Sequence, residues 1–433
     1  MRLGGRAAAA IDVLGTIERQ HRPASEALKE WGSAHRFAGS GDRAAIGNLV
    51  YDALRSRASH STRMGADSPR ALVFSVLVND WGMDAEALNA TFSGDRFAPE
   101  TLTEDEQDRL SAILPEDTPD WARADIPEWL WPPFADAFEE EAVAEGRGLA
   151  GRPPLDLRTN ALKATRQKVL SALRHFGANA SPIALQGIRI PPTARDQRLP
   201  NLQAEAGYQK GWFEIQDEGS QIAAELVLAK PGEQILDFCA GAGGKTLALA
   251  AIVENKGQVH AFDADRHRLA PIHERLKRAG ARNVQVHPPE LGKLSGLEGR
   301  MDRVIVDAPC SGSGVWRRHP DAKWKLTEHA LEARFDEQER VLEEAAPFVR
   351  PGGFLVYITC SILPPENEGQ VYAFTERHPH FTLLSAGEAW EDLYGYEKPK
   401  PWSADGCSVT LTPASAGTDG FFFAVLERQT ETV

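Results

Sequence analysis

The chain has 433 residues, 42% of them hydrophobic and 25% charged, with a formal net charge of −14 at pH 7. This length implies two to four domains, and the mixture excludes a disordered, collagenous or low-complexity protein. No apolar run approaches the ~20 residues of a membrane helix, and the start MRLGGRAAAAIDVL has no signal-peptide pattern, so a cytoplasmic protein without a membrane partner is expected. Four cysteines, Cys239, Cys310, Cys360 and Cys407, fit no zinc spacing and are too few for a disulfide framework, so no metal is expected. The charge is uneven. Residues 81–147 hold 18 acidic side chains against 4 arginines, which leaves the rest balanced. Basic clusters at 1–63 and 256–282 can meet a phosphate backbone despite the acidic total. Solvated helix faces explain them equally well.

In chain order, residues 1–147 read as helices, with apolar residues at i, i+3 and i+4 through AAAAIDVLGTIERQ, PASEALKEWGSAHRF, RAAIGNLVYDALRSRAS and RALVFSVLVNDWG. The Pro- and Trp-rich stretch EDTPDWARADIPEWLWPPF is expected to close this all-α unit. Residues 148–211 read as a small α+β unit: strand LDLRTN, helix TRQKVLSALRHFG, strand IALQGIRIP. From 212 to 433 strands and helices alternate, with strands at EQILDFCAG, GQVHAFDA, NVQVHPP, RVIVDAPC and GGFLVYITC. That alternation predicts an α/β fold, a parallel sheet with helices on both faces. GFFFAVLER is expected as a last strand at or near the sheet edge.

LDFCAGAGGKTLALA (236–250) reads as strand, glycine turn and helix. Glycines let a backbone approach a ligand, and a helix N-terminus offers free N–H groups. Gly244-Lys245-Thr246 mimics a phosphate loop, but the Walker pattern needs a glycine where Cys239 stands. A nucleoside-cofactor loop is the better reading, over Cys239, Ala240, Gly241, Ala242, Gly243, Gly244 and Lys245. Asp263 closes the next strand about 20 residues on, where an acid can accept hydrogen bonds from both ribose hydroxyls. Spacing alone fits a dinucleotide and S-adenosylmethionine equally, and a purely structural turn is the bland alternative.

Two apolar runs end in cysteines: RVIVDAPCSGSG (303–314) and VYITCSILPPEN (356–367). Ligands of open α/β sheets sit outside the carboxyl ends of the strands, so Cys310, Cys360, Asp263 and Asp307 are expected around one crevice. A thiolate added to C6 of cytosine makes C5 enamine-like, which turns a poor carbon nucleophile into a good one. Asp307 is placed to hydrogen-bond the ring N3. Cysteines at buried strand ends are commonly small hydrophobes only. Cys239 and Cys407 keep that reading, while the Asp-Ala-Pro and Thr-Cys-Ser contexts reverse it for the other two.

At these residues the chain resembles the NOL1/NOP2/Sun (Fmu) family of RNA cytosine-C5 methyltransferases. The likeness runs through LDLRTN, IQDEGSQ, LDFCAGAGGKT, AFDADRHRL, DRVIVDAPCSGSGVWRRHPDAKW, VYITCSILPPENEG and TDGFFFAVL, over most of residues 150–428. The helical start is similar to a NusB-like RNA-binding domain, as in the RsmB-type bacterial members that act on a cytosine of 16S rRNA. The resemblance implies a Rossmann-like catalytic domain, S-adenosylmethionine as cofactor, and 16S rRNA as partner, naked or in a ribosome-assembly intermediate. It implies Cys360 as nucleophile and Cys310 as helper in later steps and release. It carries the cofactor contacts onto the Cys239–Lys245 loop, Asp263 and Asp307. Ala242 stands where the family commonly has proline. The family's Asp after the third strand is missing, and Glu290 is the substitute. RNA contacts are expected at Arg36, Arg43, Arg55 and Arg57, at Arg158 and Asn160, and at Arg317, Arg318, His319 and Lys323. For Arg158 and Asn160, locking two domains together is the alternative. For the last group internal salt bridges weigh equally. For Trp316 and Trp324, core packing is favoured over stacking on a base. A tRNA methyltransferase with the same chemistry and a ribosome-assembly RNA-binding factor are the competing readings.

Overall fold

The computed structural model describes residues 1–395, 401 and 405–430. The chain divides into two compact units. The first comprises Met1–Pro153 with two later segments, Pro192–Pro200 and Trp316–Leu326; the second comprises Pro154–Pro191, Asn201–Val315 and the chain from Thr327 onward. Among the described residues no helix is long and apolar enough to cross a membrane.

The first unit is helical. Its opening helices, Leu3–Gln20, Ala24–Ala34 and Ser40–Arg55, follow the apolar periodicity. Ala7, Ala10, Val13 and Leu14 of the first helix share a core with Ile46, Leu49, Val50 and Ala53 of the third. Alanine at these contacts lets the backbones approach closely. The helix Pro69–Ser75 starts at Ser68, whose hydroxyl accepts from the Ala71 N–H, with proline in the first turn. It runs on into a five-residue π-helix, Val76–Asp80, which a 3.6-residue period does not reveal. The Pro- and Trp-rich stretch does not close the unit. Its last four residues open the helix Trp131–Phe138, because prolines in a first turn lose no helical hydrogen bond, and Ala142–Ala150 follows.

The second unit holds two sheets. The smaller is antiparallel, in the order β2-β3-β1-β4, from β1 (Leu155–Thr159), β2 (Asn179–Ala180), β3 (Gly187–Ile190) and β4 (Phe213–Ile215). β4 lies beyond residue 211 and pairs with β1, Arg158 opposite Glu214, so the small sheet reaches past the boundary read from the sequence. The larger sheet has β5 (Gln234–Asp237), β6 (Gln258–Ala261), β7 (Val284–Val286), β8 (Met301–Asp307) and β9 (Val349–Thr359). To these it adds β10 (Phe381–Leu384), β11 (Val409–Leu411) and β12 (Phe421–Arg428). Its order is β10-β12-β9-β8-β5-β6-β7, with β11 paired to β12. Strands β5 to β9 are parallel, as the alternation predicts.

The last strand lies near the sheet edge, as the sequence reading expects: β12 is one strand in, between β10 and β9 and antiparallel to both. Phe422, Ala424 and Leu426 enter the core on one face, and Phe421 and Phe423 enter the core on the other. An unbroken apolar run is the mark of a strand buried on both faces. The chain builds β5, β6 and β7 in one direction, then returns to place β8 on the other side of β5. The reversal falls between β5 and β8, and ligands of open α/β sheets bind in the crevice outside the carboxyl ends of strands at such a switch point.

Candidate active site

The parallel strands deliver three polar ends to this crevice. β5 ends in Asp237, β8 in Asp307 and β9 in Thr359. Asp307 lies opposite Ile358, and the Ala308 N–H donates to the Ile358 carbonyl at 2.8 Å. Cys310 and Cys360 therefore leave neighbouring strands at nearly the same level, and their sulfurs are 3.4 Å apart. The Cys310 thiol is held well above the usual range by its contact with the Cys360 sulfur, and further by burial and the Glu366 carboxylate. It is a thiol that keeps its proton.

The turn after Cys310 is fixed by close backbone packing. The Gly314 N–H donates to the Cys360 carbonyl at 2.9 Å, and the Gly420 N–H donates to the Gly314 carbonyl at 2.8 Å. A Cβ on Gly314 would lie 2.2 Å from the Gly420 oxygen, so only glycine fits. Gly314→Ala should destabilise the protein by roughly 1–3 kcal/mol through overpacking, seen as a lower urea midpoint. An unchanged midpoint would show that the two turns can separate freely.

The glycine loop joins β5 to the helix Gly244–Ile252. Gly241 and Gly243 take φ of 49° and 83°, left-handed values that fold the loop back on itself. The Gly241 N–H donates to Asp263 Oδ2 at 2.9 Å, and the Asp265 N–H donates to its Oδ1 at 2.8 Å. Asp263 is buried just past β6, with the Arg268 guanidinium 3.8 Å away. Arg275 pins the loop from behind by donating to the Ala242 carbonyl at 2.7 Å. Lys245 is buried, and its Nζ sits 2.7 Å from Asp307 Oδ2. Of the loop residues, Cys239 packs against the apolar core, and burial with the nearby carboxylates holds its thiol well above the usual range. Burial also raises the Cys407 thiol, with the nearby Asp405 and Glu388 carboxylates adding to the rise. Glu290 is exposed, four residues past edge strand β7.

Sequence reasoning missed several polar residues here. Asp237 accepts the Thr246 hydroxyl at 2.6 Å, while its Oδ1 is buried without a hydrogen-bond partner. Burial pushes its carboxyl up to about 7, and Asp307 adds to the rise. Glu366 is fully buried and joins the two cysteine turns. Its one sequence signal is a carboxylate closing a proline-rich loop six residues after Cys360.

The expected RNA contacts divide by burial. Arg36 and His319 are exposed, as is Arg43, whose Nε donates to the Ala38 carbonyl at 3.1 Å. Arg57 pairs with Asp67 and Glu18. Arg318 is half-buried and Arg317 is buried, its carbonyl accepting from Arg55 at 2.7 Å. For Lys323 the burial favours the internal of its two readings. It is fully buried, donates to the Arg55 carbonyl at 2.9 Å, and burial lowers its pKa to about 8. Trp316 is fully buried, and the Trp324 indole donates to the Leu54 carbonyl at 2.6 Å, so both pack rather than present a face. Arg158 is buried and donates to Gln216 at 2.6 Å; burial lowers its pKa to about 10. Asn160 is buried and donates to the Gly211 and Ala279 carbonyls, which ties the small sheet to the helix Ile272–Ala279. Arg275 and Arg278 of the basic 256–282 cluster strengthen that joint by pairing with Glu214.

The chain is similar to known proteins. The model of a family described as 16S rRNA methyltransferase RsmB/F matches residues 224–427. Ribosomal RNA small subunit methyltransferase B of Enterobacter sp. (strain 638) is 36% identical over 312 residues, 70% of this chain and 66% of that protein. The protein of the same name from Citrobacter koseri is 32% identical over 323 residues, 74% of this chain and 70% of that one. The chain spans about two thirds of the length of the curated relatives it matches. In structure it is similar to NSun6 from Pyrococcus horikoshii, with a TM-score of 0.61 at 23% identity over 70% of this chain and 99% of that one, a likeness of fold. By its family model and these relatives, the chain belongs to the 16S rRNA methyltransferase RsmB/F family.

Proposed function

We propose that this protein transfers a methyl group from S-adenosylmethionine to C5 of a cytosine in 16S rRNA, through a covalent bond between Cys360 and C6 of the base. The observation that carries the reading is the thiol pair, with sulfurs 3.4 Å apart at the carboxyl ends of β8 and β9, beside the Lys245–Asp307 pair.

The glycine loop fits the cofactor. From Ala240 to Gly244 no side chain is larger than a methyl, and the buried Asp263 carboxylate stands beside the loop for a ribose. NSun6 from Pyrococcus horikoshii was solved with SFG, an S-adenosylmethionine analogue. When bound, S-adenosylmethionine supplies an electrophilic methyl on a sulfonium. Asp263 would hold the ribose hydroxyls, with the backbone of Cys239 to Lys245 lining the site. Asp263→Ala should weaken cofactor binding by roughly 10–100-fold, the loss of one or two hydrogen bonds to a charged group, as measured by calorimetric titration.

The remaining steps belong to the chain's own residues. The Cys360 sulfur adds to C6 as the thiolate, ring N3 takes up the proton that the thiol gives up, and the C5–C6 electron pair becomes available at C5. Asp307, ion-paired with Lys245, would accept a hydrogen bond from the cytosine 4-amino group and orient the ring for that addition. After C5 is methylated, a base takes the C5 proton, the double bond re-forms and the C6–S pair returns to Cys360. Cys310 assists this release. The helical residues 1–147, with exposed Arg36 and Arg43, and the small α+β region 148–211 would dock the rRNA, and 212–433 would do the chemistry.

The test is methyl transfer from labelled S-adenosylmethionine to naked 16S rRNA, to a small-subunit assembly intermediate and to bulk tRNA. Label at C5 of one 16S cytosine supports the proposal. Label on tRNA alone keeps the chemistry and moves the substrate; label on none of the three overturns the reading.

A further inference from the structure

The two cysteine turns meet at one buried carboxylate. Ser311 follows Cys310 and Ser361 follows Cys360, and both hydroxyls donate to Glu366 Oε2 at 2.5 Å. Glu366 Oε1 accepts the Ser311 backbone N–H at 2.7 Å and the Gln338 amide at 3.0 Å. Gln338 spends its other proton on the Pro309 carbonyl at 2.9 Å, so the residues before and after Cys310 are both tied to this group. The Glu366 carbonyl in turn accepts the Tyr357 hydroxyl at 2.7 Å, which fixes Glu366 to the interior of β9.

Each proton in this network has one direction. The Ser311 oxygen accepts from the Ser313 N–H, and the Ser361 oxygen accepts from the Leu363 N–H, so both hydroxyl protons are left for Glu366. The Ser313 oxygen accepts from the Ile362 N–H and lies 2.9 Å from the Ser361 oxygen, to which it must donate. Four donors thus converge on two oxygens, which a carboxylate satisfies and an amide cannot.

We propose that Glu366 is a positioning residue for the thiol pair: by holding the residue after each cysteine it sets the separation of Cys310 and Cys360, and so couples release of the base to its capture. The naming of one thiol as nucleophile and the other as release partner rests on the function proposed above; the separation itself does not. Glu366 lies one residue away from either sulfur-bearing residue through Ser311 and Ser361, and its own carboxylate is used up in the four bonds. Its charge also raises the Cys310 thiol, an effect that Ser311→Ala leaves in place, while its bonds act through geometry, where a misplacement near 1 Å is worth orders of magnitude in rate.

The experiment has two arms, run on the full chain with Glu366→Gln and Ser311→Ala. In the first, diamide oxidises Cys310 and Cys360: the two thiols lose two electrons and two protons to the azo bond and become a disulfide, followed by peptide mass. This arm needs no RNA. Both variants should close the Cys310–Cys360 disulfide at least about tenfold more slowly than wild type. In the second arm, with 16S rRNA and S-adenosylmethionine, both variants should lengthen the life of the covalent protein–RNA adduct by a similar factor while KM for rRNA stays within about twofold. Unchanged disulfide closure and adduct lifetime, measured below the unfolding transition, would overturn the proposal even if the melting temperature fell, because Glu366 would then be structural only. If Glu366→Gln does not fold, Ser311→Ala decides alone, since it removes one hydroxyl and leaves the carboxylate. An active Cys360→Ala enzyme with slowed disulfide closure in Glu366→Gln would sink the thiol roles and leave the positioning intact.

Discussion

Cys360→Ala is expected to lose methyl transfer by at least about a thousandfold, equal to ~4 kcal/mol of barrier. The reason is chemical: without a covalent bond at C6, C5 of cytosine has no enamine character. Among the described residues, the thiol placed to stand in is that of Cys310, 3.4 Å away. Burial and the Glu366 carboxylate would still hold that thiol above the usual range once the contact with Cys360 is gone. The measurement is incorporation of labelled methyl into 16S rRNA, with cofactor binding titrated in parallel. Binding should survive, because no residue of the Cys239–Lys245 loop is changed. A variant that binds cofactor and retains more than about a tenth of wild-type turnover would remove Cys360 from the nucleophile's role.

Cys310→Ala should behave differently. Capture of the base needs Cys360 and is retained, while release slows, so a protein–RNA adduct builds up and survives a denaturing gel. Turnover should fall by roughly a hundredfold, or ~2.7 kcal/mol. The double variant Cys310→Ala/Cys360→Ala should form no adduct, which identifies the sulfur that carries the base. Adduct in the double variant, or full turnover in Cys310→Ala, would each rule out the division of labour between the two thiols.

The legibility of the chain varied by element. RVIVDAPC and GGFLVYITC were readable as β8 and β9 because apolar β-branched runs bounded by Gly and Pro have one common outcome. GFFFAVLER was readable as a strand near the sheet edge, but its two neighbours were not. The run is buried on both faces and lies inside the sheet between β10 and β9, and that depends on partners 40 to 70 residues upstream. β4, β10 and β11 are three or four residues long, too short for a period to register. Lys323 shows the limit for single side chains. Its sequence neighbourhood, WRRHPDAKW, is as basic as an RNA-binding segment, yet the lysine is fully buried against the Arg55 carbonyl.

What the sequence determined alone is local and chemical. It specifies a strand–glycine–helix turn with an acid at the end of the next strand, and two thiols at strand ends in distinct motifs. It also specifies enough strand–helix alternation to require a parallel sheet. These follow from backbone sterics and side-chain periodicity, which act over a few residues. Only the tertiary structure decided that β8 sits beside β9, which brings sulfurs fifty residues apart in the chain to 3.4 Å. Only it gathered Ser311, Gln338 and Ser361 onto Glu366, and buried Arg158 and Lys323 while leaving Arg36 and Arg43 in water. The physical reason is that burial and hydrogen-bond partnership are set by which surfaces pack together, and neither has a signature within the short window that sequence periodicity can read.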